Sequence, residues 1–314
     1  MCRLAKGLRA AGVLGINRRN AEYTLRCNPR RLYPLVDDKL LTKQLAQAAG
    51  IAVPPLYAAI EIERQIRELP RLLEPYASFV VKPAQGSGGN GIVVITGRSR
   101  QMYRRAGGSV ITHDELAYHI SNILNGLYSL GGYRDKAMIE YRVQFDPVFD
   151  AISYQGVPDI RIIVYYGVPV MAMLRLPTRV SQGRANLHQG ALGAGIDIAT
   201  GRTLGAVWGR SLVDEHPETG NRISGLAIPG WDSLLSLAAR CHGLTNLGYQ
   251  GVDIVLDKDL GPLILEINVR PGLNIQIANR AGLRRRLEKV DEALPGLCSL
   301  QDKVAFARRE FAMQ

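Results

Sequence analysis

Several patterns are missing from this 314-residue sequence, and each absence narrows the classes of protein to which it can belong. Its four cysteines are scattered and contain no CxxC pair, so we expect neither a disulfide framework nor a zinc site, as is typical of a reducing cytosol. No apolar run approaches the roughly 20 residues that span a bilayer, and the N-terminus lacks a continuous signal-peptide core. The sequence therefore predicts a cytoplasmic protein with no transmembrane segment.

The N-terminal stretch MCRLAKGLRAAGVLG is basic and mildly apolar. It predicts an ordinary helix that packs on the rest of the chain. A short amphipathic helix lying on a membrane surface is the alternative, so peripheral membrane contact stays open.

Lysine and arginine number 39 against 28 aspartate and glutamate residues, which gives a net charge of +11. Such an excess favours anionic partners. The basic clusters are separated by well-patterned segments, however, and no helix-turn-helix, zinc-finger or aromatic RNA-binding pattern occurs. We therefore expect no specific nucleic-acid partner. With 46% hydrophobic residues the chain is typical of a globular protein, and its length suggests roughly two domains.

Helical and strand patterns alternate along the sequence. DDKLLTKQLAQAAG predicts a capped helix, and Thr112 and Glu115 have the spacing of a capping box. Strand pairs are predicted at 78–96, at 159–177 with a turn at Gly167, and at 249–271 with a turn near residues 259–261. Hairpins with intervening helices indicate an α+β chain with antiparallel sheets.

A glycine-rich loop follows a lysine in VVKPAQGSGGNGI, residues 80–92. Glycines allow backbone N–H groups to approach anionic oxygens, and Lys82 supplies a positive charge. This is not a P-loop, because the lysine precedes the glycines and no helix follows them. The stretch predicts either a phosphate-binding loop or a simple flexible turn.

The strand LILEINV, residues 263–269, alternates so that its leucines, Ile267 and Val269 form one face. Glu266 and Asn268 lie on the other face, and in an antiparallel hairpin Asp253 comes within about 5 Å of Glu266. Two carboxylates that close repel each other unless they share a proton or a cation. Two carboxylates and an amide oxygen are ligands that suit Mg²⁺, so the hairpin predicts a magnesium site. The alternative is a hydrogen-bonded polar patch that binds no metal.

Polar side chains also occur in and after the strands of the second half of the chain. Arginine forks bind carboxylates or phosphates in a bidentate manner. His188 lies in the same part of the sequence, and we interpret it as a substrate contact at best. The sequence shows no convincing Ser-His-Asp or Cys-His set. The candidates for substrate and phosphoryl contacts are Arg161, Arg175, Arg184, Asn186 and Arg270.

These motifs, in this order, resemble the ATP-grasp superfamily from about residue 37 to residue 279. Within it the sequence is similar to carboxylate–amine ligases related to the ribosomal-protein-modifying glutamate ligase and to bacterial glutathione synthetase. LGINRRNAEYTLRCNPRRLYPLVDDK favours the narrower group of alpha-L-glutamate ligase-like proteins. The resemblance implies an ATP-grasp fold, with two α+β lobes that clamp ATP between antiparallel sheets. It predicts a helical N-terminal segment at 1–36 and lobes at 37–143 and 144–314.

The resemblance also implies a role for each matching residue. The residues implied to hold ATP are Lys39, Lys82, the loop residues Gly86, Ser87, Gly88, Gly89 and Gly91, the adenine contacts Glu140, Tyr141 and Val143, and Asp146 at the ribose. The implied Mg²⁺ ligands are Asp253, Glu266 and Asn268, with two ions expected and Mn²⁺ as an alternative. Arg161, Arg175, Arg184, Asn186 and Arg270 match positions that hold the γ-phosphate, the acyl phosphate or the acceptor.

By the same resemblance we expect an ATP-dependent ligase that forms an amide bond through an acyl phosphate and releases ADP and phosphate. Its substrates would be amino-acid or peptide carboxylates and amines, with glutamate preferred. The alternatives are an ATP-grasp kinase that phosphorylates a small-molecule hydroxyl and a non-catalytic basic binding protein. Relatives usually carry an α/β domain before the first lysine, and here only 38 residues precede Lys39. The oligomeric state, the acid and amine, and the role of the basic segment 97–112 stay open.

Overall fold

A computed structural model of the protein describes residues 3–86, 88–99 and 102–313. These residues form two compact units. The larger unit takes in residues 3–36, 45–52 and 145–313, and the smaller unit takes in 37–44 and most of 53–144. Each unit contains one sheet whose described strand pairs are all antiparallel. The predicted α+β class is confirmed.

The helices are short in the N-terminal part of the chain and longer toward its end. The α-helices are α1 (Arg3–Ala10), α2 (Ile16–Arg18), α3 (Pro34–Asp37), α4 (Lys39–Ala48), α5 (Leu69–Leu73), α6 (His113–Leu124), α7 (Trp231–Thr245), α8 (Ile275–Ala278), α9 (Leu283–Ala293) and α10 (Leu300–Glu310). A π-helical segment spans Arg19–Leu25, and 3₁₀ turns span Arg30–Leu32, Glu63–Glu68, Leu130–Gly132, Pro147–Ile152, Leu187–Gln189 and Leu294–Gly296. Among the described residues, no helix has the length and apolarity needed to cross a bilayer.

The smaller unit contains a six-stranded sheet in the order β1-β6-β2-β3-β4-β5. Its strands are β1 (Leu56–Ile60), β2 (Phe79–Pro83), β3 (Val93–Ser99), β4 (Met102–Arg105), β5 (Val110–Thr112) and β6 (Ala137–Glu140). β6 ends at Glu140, and the backbone N–H of Tyr141 still donates to the carbonyl of Pro55 at 2.8 Å, one position beyond the last pair of β1 and β6. The predicted capping box of α6 is present, with Thr112 and Glu115 bonded reciprocally.

The larger unit contains a seven-stranded sheet in the order β11-β10-β9-β8-β7-β12-β13. Its strands are β7 (Asp159–Tyr165), β8 (Val168–Leu176), β9 (Leu192–Ile196), β10 (Thr203–Trp208), β11 (Ser211–Val213), β12 (Tyr249–Asp257) and β13 (Gly261–Asn268). The hairpin β7–β8 turns at Gly167, as predicted, where φ is +84°. The four central strands β8, β7, β12 and β9 carry the buried middle of the unit.

Strand β9 is glycine-rich although it lies in the core of this sheet. The sequence LGAGI looks too glycine-rich for a core strand, yet all of β9 is buried. The reason is close approach: a side chain on Gly195 would meet the carbonyl oxygen of Ala278 at 2.6 Å. Only glycine fits there, and Ile196 is the one β-branched residue of the strand.

A second difference concerns the alternation along β13. A β-bulge places Asp253 opposite Glu266 and the next residue, Ile254, opposite Ile264. The extra residue is Leu265, and the consecutive residues Leu263 and Ile264 that precede it are both buried. The two-residue period therefore breaks at the bulge, although the predicted pairing of Asp253 with Glu266 is confirmed.

Helix α6 supplies the core of the smaller unit. Ile120 is fully buried among sheet residues that include Phe79 and Ile139. We expect Ile120→Ala to lower the free energy of unfolding of this unit by about 2–5 kcal/mol, because it removes buried methyl groups and leaves a cavity. Tyr118→Ala on the exposed face of the same helix is the matched control and should change it far less. Urea denaturation measures both, and equal losses would contradict this packing.

Candidate active site

The candidate site in the larger unit lies on adjacent strands of its sheet. In the register, Asp253 on β12 stands between Glu266 on β13 and Arg161 on β7. On the next strand pair Asp159 stands opposite Arg175. The topology thus brings together residues that are more than 100 positions apart in the chain. It does so because β12 pairs with β7 on one side and β13 on the other.

Asp253 is held by two arginines. Arg161 donates to it in a bidentate manner, with Nε–Oδ1 at 2.7 Å and Nη2–Oδ2 at 2.6 Å. Arg175 contributes a second guanidinium at 2.8 Å from Oδ2. Although burial alone would raise the pKa of Asp253, the two guanidinium groups lower it to about 2. The carboxylate is therefore ionised at neutral pH in spite of being only 1% exposed.

Asp159 completes this charge network, and sequence reasoning did not select it. It pairs in a bidentate manner with Arg175, whose Nη2 donates to Asp159 Oδ2 at 2.6 Å. Burial and the nearby charge of Asp253 raise the pKa of Asp159, to about 7. The available signal was its position two residues before Arg161 in DIRIIVYY, which puts both side chains on the same face of β7.

Asn268 joins the two carboxylates of the hairpin. Its Nδ2 donates to Asp253 Oδ2 at 3.1 Å and to Glu266 Oε1 at 3.0 Å. The amide would present its oxygen instead after a half-turn about its last torsion, and the oxygen is the atom that Mg²⁺ ligates. Glu266 and Asn268 are both half-buried, so this edge of the network can be reached from solvent.

The charges of the network fit a divalent cation. Three carboxyl groups, those of Asp159, Asp253 and Glu266, face the guanidinium groups of Arg161 and Arg175, so one carboxylate is in excess when Asp159 is ionised. The residues available to hold Mg²⁺ are Glu266, Asn268 and the Oδ1 atom of Asp253, which accepts one hydrogen bond. Among the described residues no group of three or more His, Cys, Asp or Glu side chains forms a metal cluster. The fit therefore depends on the amide.

The other three residues predicted to contact the substrate or the phosphoryl group lie outside this network. They are Arg184, Asn186 and Arg270. Arg270 stacks on the ring of Tyr33, with 5.5 Å from its guanidinium carbon to the ring centroid. Asn186 accepts a hydrogen bond from the backbone N–H of His188 and so caps a 3₁₀ turn. Arg184 is exposed, and within the described part of the chain its guanidinium enters no ion pair. His188 lies near the turn after β13. Its Nε2 atom is 3.9 Å from the position that a Cβ atom on Gly272 would occupy.

The smaller unit has its own buried charge cluster, centred on Glu140 at the end of β6. Lys43 lies 2.8 Å from its Oε2, and Lys82 pairs with its Oε1. The Glu140 side chain is only 5% exposed. Burial alone would raise its pKa, but the two ammonium groups lower it below the usual value. Burial lowers the pKa of Lys43, and the negative charge of Glu140 partly offsets this decrease.

Lys43 was not selected from the sequence. It lies one helical turn after Lys39 in DDKLLTKQ, on the helix whose first turn is capped by Asp38 through the N–H groups of Leu40 and Leu41. Its ammonium also donates to the carbonyl of Pro54. Both oxygens of Glu140 contact ammonium groups, so its proposed role at the adenine amino group would be shared with this ion-pair role.

The glycine-rich loop has the backbone that its composition predicts. Gly88, Gly89 and Gly91 all have positive φ, between +64° and +76°. A side chain on Gly91 would meet the ring of Tyr128 at 2.6 Å, so glycine is required there for space as well. Lys39 donates from Nζ to the carbonyl oxygen of Gly86 at 2.5 Å. Ser87, also predicted in this loop, lies outside the described residues.

The segment after β6 has a less regular backbone. Val143 is buried in the smaller unit. In the larger unit, Asp146 accepts a hydrogen bond from the N–H of Val148 at 2.9 Å and caps the turn Pro147–Ile152. Its proposed contact with a ribose would therefore compete with a capping role.

The sequence profile of the family described as sugar-transfer associated ATP-grasp matches residues 18–292. It confirms the superfamily that the motifs resemble and does not confirm the narrower glutamate-ligase-like group. No curated protein matches the sequence significantly.

Solved structures similar to this chain include the ATP-grasp ligase PsnB complexed with a minimal precursor, with 15% identity, a TM-score of 0.46, and coverage of 86% of this chain and 63% of PsnB. D-cycloserine synthetase DcsG has 14% identity, a TM-score of 0.47, and coverage of 85% and 73%. The D-alanine-D-alanine ligase from Coxiella burnetii has 15% identity, a TM-score of 0.43, and coverage of 89% and 59%. This chain thus spans less than two thirds of the length of PsnB.

Removing the charge of Asp253 should affect folding more than removing that of Glu266. Asp253→Asn leaves two buried guanidinium groups short of a carboxylate, and we expect a loss of about 3–5 kcal/mol in the free energy of unfolding. Glu266→Gln, at a half-buried position, should cost less than about 1 kcal/mol. Urea denaturation without added metal measures both values. Titration calorimetry should show weaker Mg²⁺ binding for either variant, and equal stability losses would contradict the assigned network.

The lysine pair gives a second test. Glu140→Gln leaves Lys43 and Lys82 buried without their carboxylate, so we expect a loss of about 3–5 kcal/mol. Adding Lys43→Met removes one buried charge, and the double variant should be more stable than Glu140→Gln alone. Lys136→Met, which breaks the exposed pair with Glu61, is the control and should cost under about 1 kcal/mol. Additive losses in the double variant would refute this coupling.

Proposed function

The chain belongs to the sugar-transfer associated ATP-grasp family, which confirms the expected ATP-grasp fold, and we propose that it is an ATP-dependent carboxylate–amine ligase. One observation carries the proposal. A buried, ionised Asp253 is held by Arg161 and Arg175 directly beside a solvent-accessible Glu266 and Asn268. A carboxylate network with fixed cations and an accessible edge suits a divalent cation and a phosphoryl group.

In the larger unit we assign Glu266, Asn268 and Asp253 to hold Mg²⁺. When bound, Mg²⁺ supplies charge neutralisation at the phosphoryl oxygens that it contacts. Arg161 and Arg175 keep Asp253 ionised and fix its orientation, since they occupy both of its oxygens. The network is thus set before substrate arrives, which lowers the reorganisation needed during the reaction.

In the smaller unit we assign Lys82, Lys39 and the N–H groups of the glycine-rich loop to the phosphates of ATP. Glu140 holds Lys82 in place and, through its pair with Lys43, leaves the cluster with one positive charge in excess. That excess favours a polyanion. The positive φ values of the loop glycines allow successive N–H groups to point in one direction, as in an anion-binding nest.

The proposed reaction is transfer of the γ-phosphoryl group of ATP to a substrate carboxylate, which releases ADP and leaves an acyl phosphate. An amine then attacks the acyl carbon, and phosphate leaves as the amide forms. Positioning and electrostatic stabilisation are sufficient for these steps, so no side-chain nucleophile is required. We assign the exposed Arg184, together with Asn186 and Arg270, to contacts with the acyl phosphate or the acceptor.

The substrates are proposed by class. Glutamate, as acid or as acceptor, is the first compound to test, because it follows from the resemblance of the motifs. The family description adds sugar-linked compounds, so amino sugars as amines and uronic acids as acids form the second group. We also propose a cytoplasmic location, since Cys27, Cys241 and Cys298 are free thiols and the reaction consumes ATP.

Hydroxylamine separates a ligase from a kinase. An enzyme that activates carboxylates should release ADP in the presence of ATP, Mg²⁺, acid and hydroxylamine, and should form a hydroxamate from that acid. We expect Glu266→Gln and Lys82→Met to lower the rate at least 100-fold, while Glu292→Gln on the exposed face of α9 leaves it unchanged. Phosphorylated hydroxyl products without hydroxamate would favour a kinase. Absence of both Mg-ATP binding and ADP release across the acid panel would refute the proposed function.

A further inference from the structure

A groove of about 610 Å³ lies in the larger unit, formed with the N-terminal segment. We call it the N-terminal groove. Its walls come from the end of α1, from the hairpin of β10 and β11, and from the segment between β13 and α9. Its lining includes Leu8, Arg210, Leu212, Gln276, Ile277 and Arg280.

Hydrogen bonds join the N-terminal wall of the groove to the segment between β13 and α9 and to the start of α9. The N–H of Leu14 donates to Gln276 Oε1 at 2.8 Å, and Gln276 Nε2 donates back to the carbonyl of Leu14 at 3.1 Å. The N–H of Arg284 donates to the carbonyl of Gly12 at 3.0 Å. A side chain on Gly282 would meet the Gly12 backbone at 2.1 Å, so the two segments pack as closely as backbones allow. The walls are therefore built into the fold of this unit.

Three aliphatic side chains of the groove lining are unusually exposed. Leu8 is 47% exposed, Leu212 is 56% exposed and Ile277 is 51% exposed. Leaving a large aliphatic side chain in water forgoes about 1.5–3 kcal/mol compared with full burial. These three side chains surround one concavity, whose lining is mostly apolar.

Two arginines are the charged side chains of this lining. Within the described residues neither Arg210 nor Arg280 enters an ion pair, although Asp214 and Arg280 both approach Gly205. Among the described residues that line the groove, none is acidic. Arg280 also has a left-handed backbone, with φ of +49°, where glycine or asparagine is favoured. Arg280 directly follows the C-terminal cap of α8, the position at which helices commonly end with a left-handed residue.

We propose that the N-terminal groove binds an amphipathic anion, with an aliphatic chain along the exposed aliphatic side chains and an anionic head group on Arg210 and Arg280. An inorganic anion would not account for the apolar walls, and an uncharged apolar ligand would not account for two unpaired arginines. The volume lies within the range of roughly 300–1,000 Å³ typical of small-molecule sites. None of these residues belongs to the proposed ligase site, so the inference goes beyond the proposed function.

Dodecyl phosphate below its micelle concentration is the probe, titrated into the full chain by calorimetry. We expect saturable binding at one site, and at least tenfold weaker binding of inorganic phosphate and of dodecyl maltoside. Ile277→Glu should weaken binding at least tenfold, because it places a carboxylate in the groove. Arg280→Asn, which tolerates the left-handed backbone, should do the same. Leu260→Glu and Arg309→Asn are matched exposed controls outside the lining and should leave binding unchanged.

Vesicles distinguish the two sources of such a ligand. Groove-dependent binding to phosphatidylglycerol-containing vesicles, lost in Ile277→Glu, would identify a membrane lipid, whereas binding of monomeric dodecyl phosphate alone would identify a free amphiphile. Circular dichroism of each variant verifies that it is folded. The proposal is overturned if dodecyl phosphate does not bind, if inorganic phosphate or dodecyl maltoside binds equally well, or if the groove variants bind as the controls do.

Discussion

The bidentate pair between Arg161 and Asp253 is the interaction on which the larger unit's site depends. Burying an isolated carboxylate costs several kcal/mol, so Asp253 is tolerated only because guanidinium groups and an amide occupy its oxygens. These partners come from three different strands. The requirement to satisfy one buried charge therefore fixes the mutual register of β7, β8, β12 and β13, and the accessible Glu266 lies at the edge of an already organised network.

The smaller unit also contains a buried carboxylate, but the excess charge of its cluster is positive. Its buried carboxylate, Glu140, is neutralised by two lysines, so the cluster carries an excess positive charge. The network around Asp253 carries one excess negative charge when Asp159 is ionised. One cluster thus suits phosphate and the other suits a cation, and each is stable without its ligand because the buried charges are already paired. Both ligand preferences follow from counting charges within a unit.

Much of this arrangement could be predicted from local sequence. Alternation and turn residues identified the hairpins, and the opposition of Asp253 and Glu266 followed from the strand pairing. What could not be predicted came from contacts distant in sequence. The bulge at Leu265 shifts a period that the sequence shows as regular, and β9 is buried because the backbone at Ala278 excludes any side chain on Gly195. Both features depend on residues that are distant in sequence or on a local break in pairing, so the residue types alone do not reveal them.

The same limit applies to side-chain roles. Motifs identify which residue types can bind phosphate or metal, but they do not show which charges are already used inside the protein. Arg161 and Arg175 have the spacing of substrate-binding arginines, yet both guanidinium groups are paired with buried carboxylates. A guanidinium so paired cannot leave for an incoming phosphate without exposing a buried charge. Under the proposed function, direct contacts to a transferring group would therefore be made by the exposed Arg184, and the two buried arginines would act by holding Asp253 in place.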